Sequence, residues 1–420
     1  MNSLMIKSVD IADHASNCVE VEFLSPSVNA SFDKYSFSVE LYIKSDKAVE
    51  TIRFNALGEI HDEVKPVGCN QENHVHLTHI KCEISTLGLS EAFNVVVVAE
   101  LENGEYIRLG QIKGARNRLS VAETSAFMPI CVNGIPRSGT TFLMGLMSSH
   151  PQLVSKDAYP FEHRPAMYWV HLFQALSRPN NAVGGMWNWA FEEDKNKVGA
   201  FPYSPGMDET DAWVANGYID SLARFCIQSV DQTYKLIADQ NNKPDAGFFL
   251  EKFPGLKGKY ISELYPSYHE VVIVRDIRDV FCSVKSFNKQ RGRDDFGVDR
   301  HDDDKSYLRS LGVLLRKMYN KRTMGCSRTR YHLVKYEDLI VSPVDTVLDL
   351  YKRLGMNVGN DVVGNLEAAL SSNNLNVSSH RTGAAGNDVA RWKVDLPEAL
   401  NDFVFEEFGD LLNSLGYQKG

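Results

Sequence analysis

Seven cysteines in 420 residues (Cys18, Cys69, Cys82, Cys131, Cys226, Cys282 and Cys326) form no C-x-x-C pair, and their number is odd. That usage supplies neither a disulfide framework nor a zinc knuckle, and it fits reduced thiols in the cytoplasm, the expected compartment. Long apolar runs are missing too. Val95–Val98 has the length of a core strand, far short of the ~20 residues that span a bilayer. The opening Met1–Lys7 lacks the charged head, apolar stretch and cleavage site of a secretion signal. A basic excess is absent: 45 Lys and Arg stand against 54 Asp and Glu, a net charge of −9, so no nucleic-acid partner is expected.

One more absence is local. In Gly134-Ile135-Pro136-Arg137-Ser138-Gly139-Thr140-Thr141 the two glycines are spaced as in the nucleotide loop G-x-x-x-x-G-K-[ST], but Thr140 stands where the lysine belongs. The cation sits upstream, at Arg137. Ile130-Cys131-Val132-Asn133 before the loop reads as a buried strand, and Phe142, Leu143, Leu146 and Met147 after it recur at helical spacing. Strand, glycine loop and helix together aim backbone N–H groups and a helix N-terminus at an anion.

Residues 1–122 read as a small all-β sandwich, an accessory domain ahead of a second domain at 123–420. Val19–Phe23, Ser36–Ile43, Ala48–Phe54, His74–Ile80 and Phe93–Leu101 largely alternate polar and apolar residues, as half-buried strands do. His74, His76 and His79 do not share one strand face, so they are read as solvated rather than metal-binding. Residues 111–128, with Lys113, Arg116 and Arg118, read as a polar connector. Further on, Phe248–Lys252, Val271–Val274 and Tyr331–Lys335 are strands separated by helices, which implies parallel β-α-β units and a doubly wound α/β sheet. Residues 208–240 read as helix, with Trp213, Val214, Leu222, Phe225, Cys226 and Val230 inward. Residues 285–304 read as a charged loop. Ser342 and Pro343 open a later helix that Gly355 stops.

Arg275 falls at the tip of Val271–Val274, the second of those strands, and Ser283 follows on the next helix. A guanidinium fork beside a hydroxyl suits a phosphate monoester. Pro136-Arg137-Ser138-Gly139-Thr140-Thr141 resembles the 5′-phosphosulfate loop of sulfotransferases that use 3′-phosphoadenosine 5′-phosphosulfate (PAPS). Arg275 and Ser283 resemble the 3′-phosphate motif of the same family. Tyr336-Glu337-Asp338-Leu339 matches a third region common there. The resemblance covers about residues 129–417 and implies a P-loop-like sulfotransferase fold with PAPS as sulfuryl donor and no required metal.

On that resemblance, Arg137, Ser138, Gly139, Thr140 and Thr141 hold the 5′-phosphosulfate, Arg275 and Ser283 hold the 3′-phosphate, and Tyr336 lies near the nucleotide. Lys252 resembles the lysine of the family's K-x-P stretch and would stabilise charge on the transferred group. Phe253-Pro254 stand where cytosolic members carry a histidine base. Glu162, after the loop helix, fits the base position of other branches, with His163 and Asp157 as substitutes. The tail supplies Lys393, Arg391 and Arg381 as lid cations. At the position where the family often has a further basic residue, this chain has Phe287. The aromatic stretch after Lys156, with Tyr159, Phe161, Trp187, Trp189 and Phe201, suits sugar rings, so the expected acceptor is a carbohydrate hydroxyl. The rival readings are a kinase with a degenerate P-loop and a non-catalytic glycan-binding protein.

Overall fold

Leu4–Ile11 (β1), Val19–Ser25 (β2), Ser31–Phe32 (β3), Ser36–Ser45 (β4), Val49–Ala56 (β5), Glu59–Val64 (β6), Cys69–Glu72 (β7), Val75–Ser85 (β8), Ala92–Leu101 (β9) and Tyr106–Arg116 (β10) pair antiparallel. They form two sheets, ordered β3-β1-β10-β9-β5-β6 and β2-β4-β8-β7. The computed structural model of the protein describes residues 4–12, 19–32, 35–56, 59–66, 69–72, 75–119, 125–156, 160–179, 217–253, 260–265, 267–292, 296–297, 301–321, 329–371 and 389–420. Alternation fixes which side of each strand is buried. Phe37, Val39, Leu41 and Ile43 of β4 and Phe93, Val95, Val97 and Ala99 of β9 enter one shared apolar cluster. A one-residue slip would turn either set to water.

The chain divides into two compact units, Met1–Thr124 with Trp169–Gln228 and Lys259–Leu264, and Ser125–Tyr168 with Ser229–Gly258 and Tyr265–Gly420. The expected boundary at 122/123 lies outside the described residues. Within the first unit the connector reading needs correction, because β10 continues to Arg116 and pairs with β1 and β9. Arg116 and Arg118 are buried by the short helical turn Ile261–Leu264. Arg116 Nη1 donates to Glu263 Oε2 at 3.2 Å, and Arg118 Nη1 donates to the Ser262 carbonyl at 3.0 Å. Of the three histidines, His79 stacks on Tyr42 at 4.4 Å and bonds Glu40 at 3.0 Å, while His74 lies outside the described residues.

In the second unit Met128–Gly134 (β11), Leu153–Val154 (β12), Phe248–Lys252 (β13), Tyr268–Val274 (β14) and Thr329–Lys335 (β15) form a parallel sheet ordered β12-β13-β11-β14-β15. Among the described residues the helices are Thr140–Met147 (α1), Pro165–Leu176 (α2), Ile219–Gln240 (α3), Ile277–Arg291 (α4), Asp304–Lys321 (α5), Tyr336–Val341 (α6), Pro343–Leu354 (α7), Asn360–Ser371 (α8) and Glu398–Ser414 (α9), besides two single turns. Strands covered on both faces read as apolar runs rather than alternating ones. Ile130, Val132, Val271 and Ile273 join Leu143, Leu350, Tyr351 and Leu366 in one cluster. Val272 and Val274 join Val280, Leu308, Leu311 and Phe408 in the other. Helices therefore cover both faces, the doubly wound α/β architecture. After β11 the strands extend first to one side, as β13, and then to the other, as β14. Open parallel sheets bind ligands at the C-terminal edge of such a switch point.

Several local expectations are corrected. Lys285–Arg291 belong to α4 rather than to a loop. Phe225 is 52% exposed, because Leu222, Cys226 and Val230 define the buried stripe of α3 and Phe225 is rotated off it. Trp213, Val214, Tyr159, Trp187, Trp189 and Phe201 lie outside the described residues. Ser342 precedes Pro343 at the start of α7, but its side chain makes no capping bond. Among the described residues no helix is long and apolar enough to cross a membrane.

His269 of β14 and His332 of β15 are buried side by side, Nδ1 to Nε2 at 2.9 Å. Burial pushes both imidazoles down to about 4, helped at His269 by His332 and Arg330 and at His332 by Arg353 and Arg330. A folded value below the unfolded 6.5 means the unfolded chain binds protons first, so stability is full above 6.5 and falls as pH drops toward 4. Thermal melts at pH 7.5 and 5.0 are expected to show a larger drop for the wild type than for a His269→Phe/His332→Leu variant. Equal drops would refute this assignment.

Candidate active site

The loop between β11 and α1 is shaped by two glycines. Gly139 caps α1 at φ +95°, and a Cβ there would lie 2.5 Å from the Tyr336 ring. A Cβ on Gly134 would lie 2.5 Å from Ser138 Oγ. No side chain caps α1, so its first-turn amides, from Thr140 and Thr141 onward, face outward as donors for an anion. Ser138 bonds within the loop itself. It is fully buried, and both its amide (3.2 Å) and its hydroxyl (2.7 Å) donate to the Ile135 carbonyl, closing the loop on itself. Arg137 takes φ +65°, a left-handed backbone that costs a non-glycine residue of order 1–3 kcal/mol and is typical of ligand clamps.

The second motif meets the first. Arg275, at the tip of β14, donates from Nη1 to the Arg137 carbonyl at 2.9 Å, and its guanidinium lies over the Tyr336 ring at 4.2 Å. Arg137 Nε reaches Ser283 Oγ of α4 at 3.3 Å. The Arg137 guanidinium also lies 4.6 Å over the Phe287 ring, one helical turn beyond Ser283. Phe287 thus supplies a face on which the loop arginine rests. Tyr336, at the start of α6, fills the space between Gly139 and Arg275.

On the other side of β11, Lys252 ends β13 with its side chain 8% exposed. Its Nζ donates to Thr141 Oγ1 at 2.8 Å and Glu162 Oε1 at 2.8 Å, and also to the Pro160 carbonyl. Burial holds the amine below its usual range, against the opposing pull of Glu162. Glu162 is about half exposed, and its other oxygen bonds Arg164. Glu162 is therefore both the neighbour of Lys252 and an ion-pair partner of Arg164. His163 is exposed beside it, and Asp157 lies outside the described residues.

The tail reaches the same helix. Arg391 donates to Ser286 Oγ of α4 at 2.7 Å and pairs with Asp395. Lys393 points to solvent with its amine 5.7 Å from the Trp392 ring centre, and Arg381 lies outside the described residues. The placement of Arg391 is set by Asp279, whose carboxylate takes the amides of Ala390 (2.7 Å) and Trp392 (2.9 Å). Arg278, 1% exposed, lies between Trp392 at 3.5 Å and Phe405 at 4.9 Å. The Arg275-Asp276-Ile277-Arg278-Asp279 string, read only for Arg275, therefore also fastens the tail. The signal was visible as three further charges, Asp276, Arg278 and Asp279, beside a strand tip.

A family model described as the sulfotransferase family matches residues 129–360, more than half of the chain. Over 166 residues the chain is 25% identical to carbohydrate sulfotransferase 1 of Danio rerio, covering 35% of this chain and 38% of that protein. It also resembles the sulfotransferase domain from the curacin biosynthetic pathway (18% identity, TM-score 0.39, 70% of this chain and 99% of that one). The sulfotransferase domain of the Synechococcus PCC 7002 olefin synthase is similar at 18% identity and TM-score 0.38, over 72% and 99% of the two chains. The matched stretch carries the glycine loop, Lys252, Arg275 and Tyr336 on neighbouring strand ends and Ser283 on α4, and the chain belongs to the sulfotransferase family.

Proposed function

We propose that the protein transfers a sulfuryl group from PAPS to a saccharide hydroxyl. The observation that carries this reading is the meeting of two anion-binding motifs, with Arg275 on the Arg137 carbonyl and Arg137 at Ser283. The α1 amides with Thr140 and Thr141 would receive the 5′-phosphosulfate. Arg275 and Ser283, with Arg391 of the tail close by on Ser286 of α4, would receive the 3′-phosphate. A sulfuryl group carries less charge than a terminal phosphoryl, which suits a loop lacking the P-loop lysine. The acceptor oxygen attacks sulfur, the bridging oxygen leaves with adenosine 3′,5′-bisphosphate, and Glu162 takes the acceptor proton. Lys252 stabilises the charge that develops on the transferred group. The partial match to a carbohydrate sulfotransferase and the aromatic composition after Lys156 support a sugar acceptor.

Calorimetric titration with PAPS, and separately with ATP and magnesium, tests the donor. Preference for ATP would overturn the reading. Arg275→Ala is expected to weaken adenosine 3′,5′-bisphosphate binding about 10–100-fold, the equivalent of about 1.5–3 kcal/mol for a charge-assisted bond. Binding of adenosine 5′-phosphosulfate, which lacks the 3′-phosphate, should change little. Equal losses for both nucleotides would remove Arg275 from the 3′ position.

A further inference from the structure

Adjacent residues of β13 hold one stretch of chain at two points. Lys252 takes the Pro160 carbonyl and the Glu162 carboxylate. Glu251, 1% exposed, accepts the Ala166 amide on Oε1 at 2.6 Å and the Met167 amide on Oε2 at 3.2 Å. The Tyr234 hydroxyl of α3 donates to the same Oε1. Successive side chains of a strand leave on opposite faces, so residues 160–167 wrap the strand tip and are gripped at each end. The first amides of a helix have no intrahelical acceptor, and a carboxylate there also complements the helix dipole. Burial raises Glu251 to about 7, while Tyr234, both amides and Arg164 pull the other way. The transfer chemistry above leaves this buried carboxyl without a role.

We propose that Glu251 is a positioning residue which, by fastening the start of α2, sets where the Glu162 carboxylate stands relative to Lys252. This rests on the reading of Glu162 and Lys252 as the pair that faces the transferred group. Glu251→Gln tests it, since the amide keeps the shape but presents a donor to one of two N–H groups. Three readouts are expected to move in the full-length protein. Hydrogen exchange in peptides covering 160–168 should quicken at least tenfold, modification of Lys252 by an amine reagent should quicken several-fold, and kcat should fall at least tenfold. Binding of adenosine 3′,5′-bisphosphate should stay within twofold, and exchange in β11 should be unchanged.

Unchanged exchange and Lys252 reactivity in folded Glu251→Gln would overturn the proposal. So would a parallel loss of nucleotide binding, which marks general destabilisation. If that variant does not fold, Tyr234→Phe removes one of the three donors and should shift exchange and labelling in the same direction by a smaller factor; no shift would overturn it. A wild type that prefers ATP would end the donor reading, yet exchange and labelling would still decide whether Glu251 sets the Glu162–Lys252 pair.

Discussion

Glu162→Gln is expected to lower kcat by about 10²–10⁴-fold, the range contributed by a positioned general base. Affinity for adenosine 3′,5′-bisphosphate should stay within about twofold, because Glu162 belongs to neither anion motif. The amide oxygen can still accept from Lys252, which now bonds Glu162 Oε1 at 2.8 Å, so the local arrangement should persist while the capacity to take a proton is lost. The variant separates two roles that the geometry superimposes. A carboxylate serving only as the partner of Lys252 and Arg164 would tolerate an isosteric amide, whereas a base would not. Initial rates with PAPS and a saccharide acceptor, alongside a calorimetric nucleotide titration, give both quantities. A kcat within threefold of wild type would move the base elsewhere, to be sought with His163→Asn and Asp157→Asn.

The largest loss of stability is expected from Arg116→Met. Arg116 and Glu263 side chains are 1% and 0% exposed, and among the described residues Glu263 otherwise accepts from the Gly88 amide at 3.0 Å. A buried ion pair is a weak stabiliser overall, since desolvation offsets most of the attraction. Removing one partner is different, because it strands a charge where water cannot reach it. The expected cost is about 3–5 kcal/mol in denaturant unfolding, a large share of a typical domain's stability. Arg116→Met/Glu263→Gln should recover much of that loss, because the uncompensated charge is then gone. A single-variant cost below about 1 kcal/mol, or a double variant as damaged as the sum of the singles, would contradict this account.

Composition and local pattern carried the reading a long way. A glycine-bounded string, an arginine at a strand tip and a tyrosine after the last parallel strand each owe their place to chain-local rules. Such rules concern which backbone a residue tolerates and where a strand must end. The period of the apolar residues, two in β4 and near-continuous in β14, separated the antiparallel sheets from the parallel one. What escaped were groups whose partners lie far along the chain. Arg116 looked like a solvated connector charge because Glu263 is 147 residues away. Glu251 looked like an ordinary strand residue, since nothing nearby in sequence shows that the amides of Ala166 and Met167 end beside it. Phe287 read as a missing cation, and only packing showed the Arg137 guanidinium resting on its ring.

By itself, then, the sequence determined the kind of sheet, the glycine loop between β11 and α1 and the residue types gathered at the strand ends, all set by local backbone preference and apolar period. Only the tertiary structure decided which of those charges are paired, because burial and long-range contact fix a side chain's partner. It turned Ser138 inward, joined Arg137 to Ser283, and set Glu162 between Lys252 and Arg164.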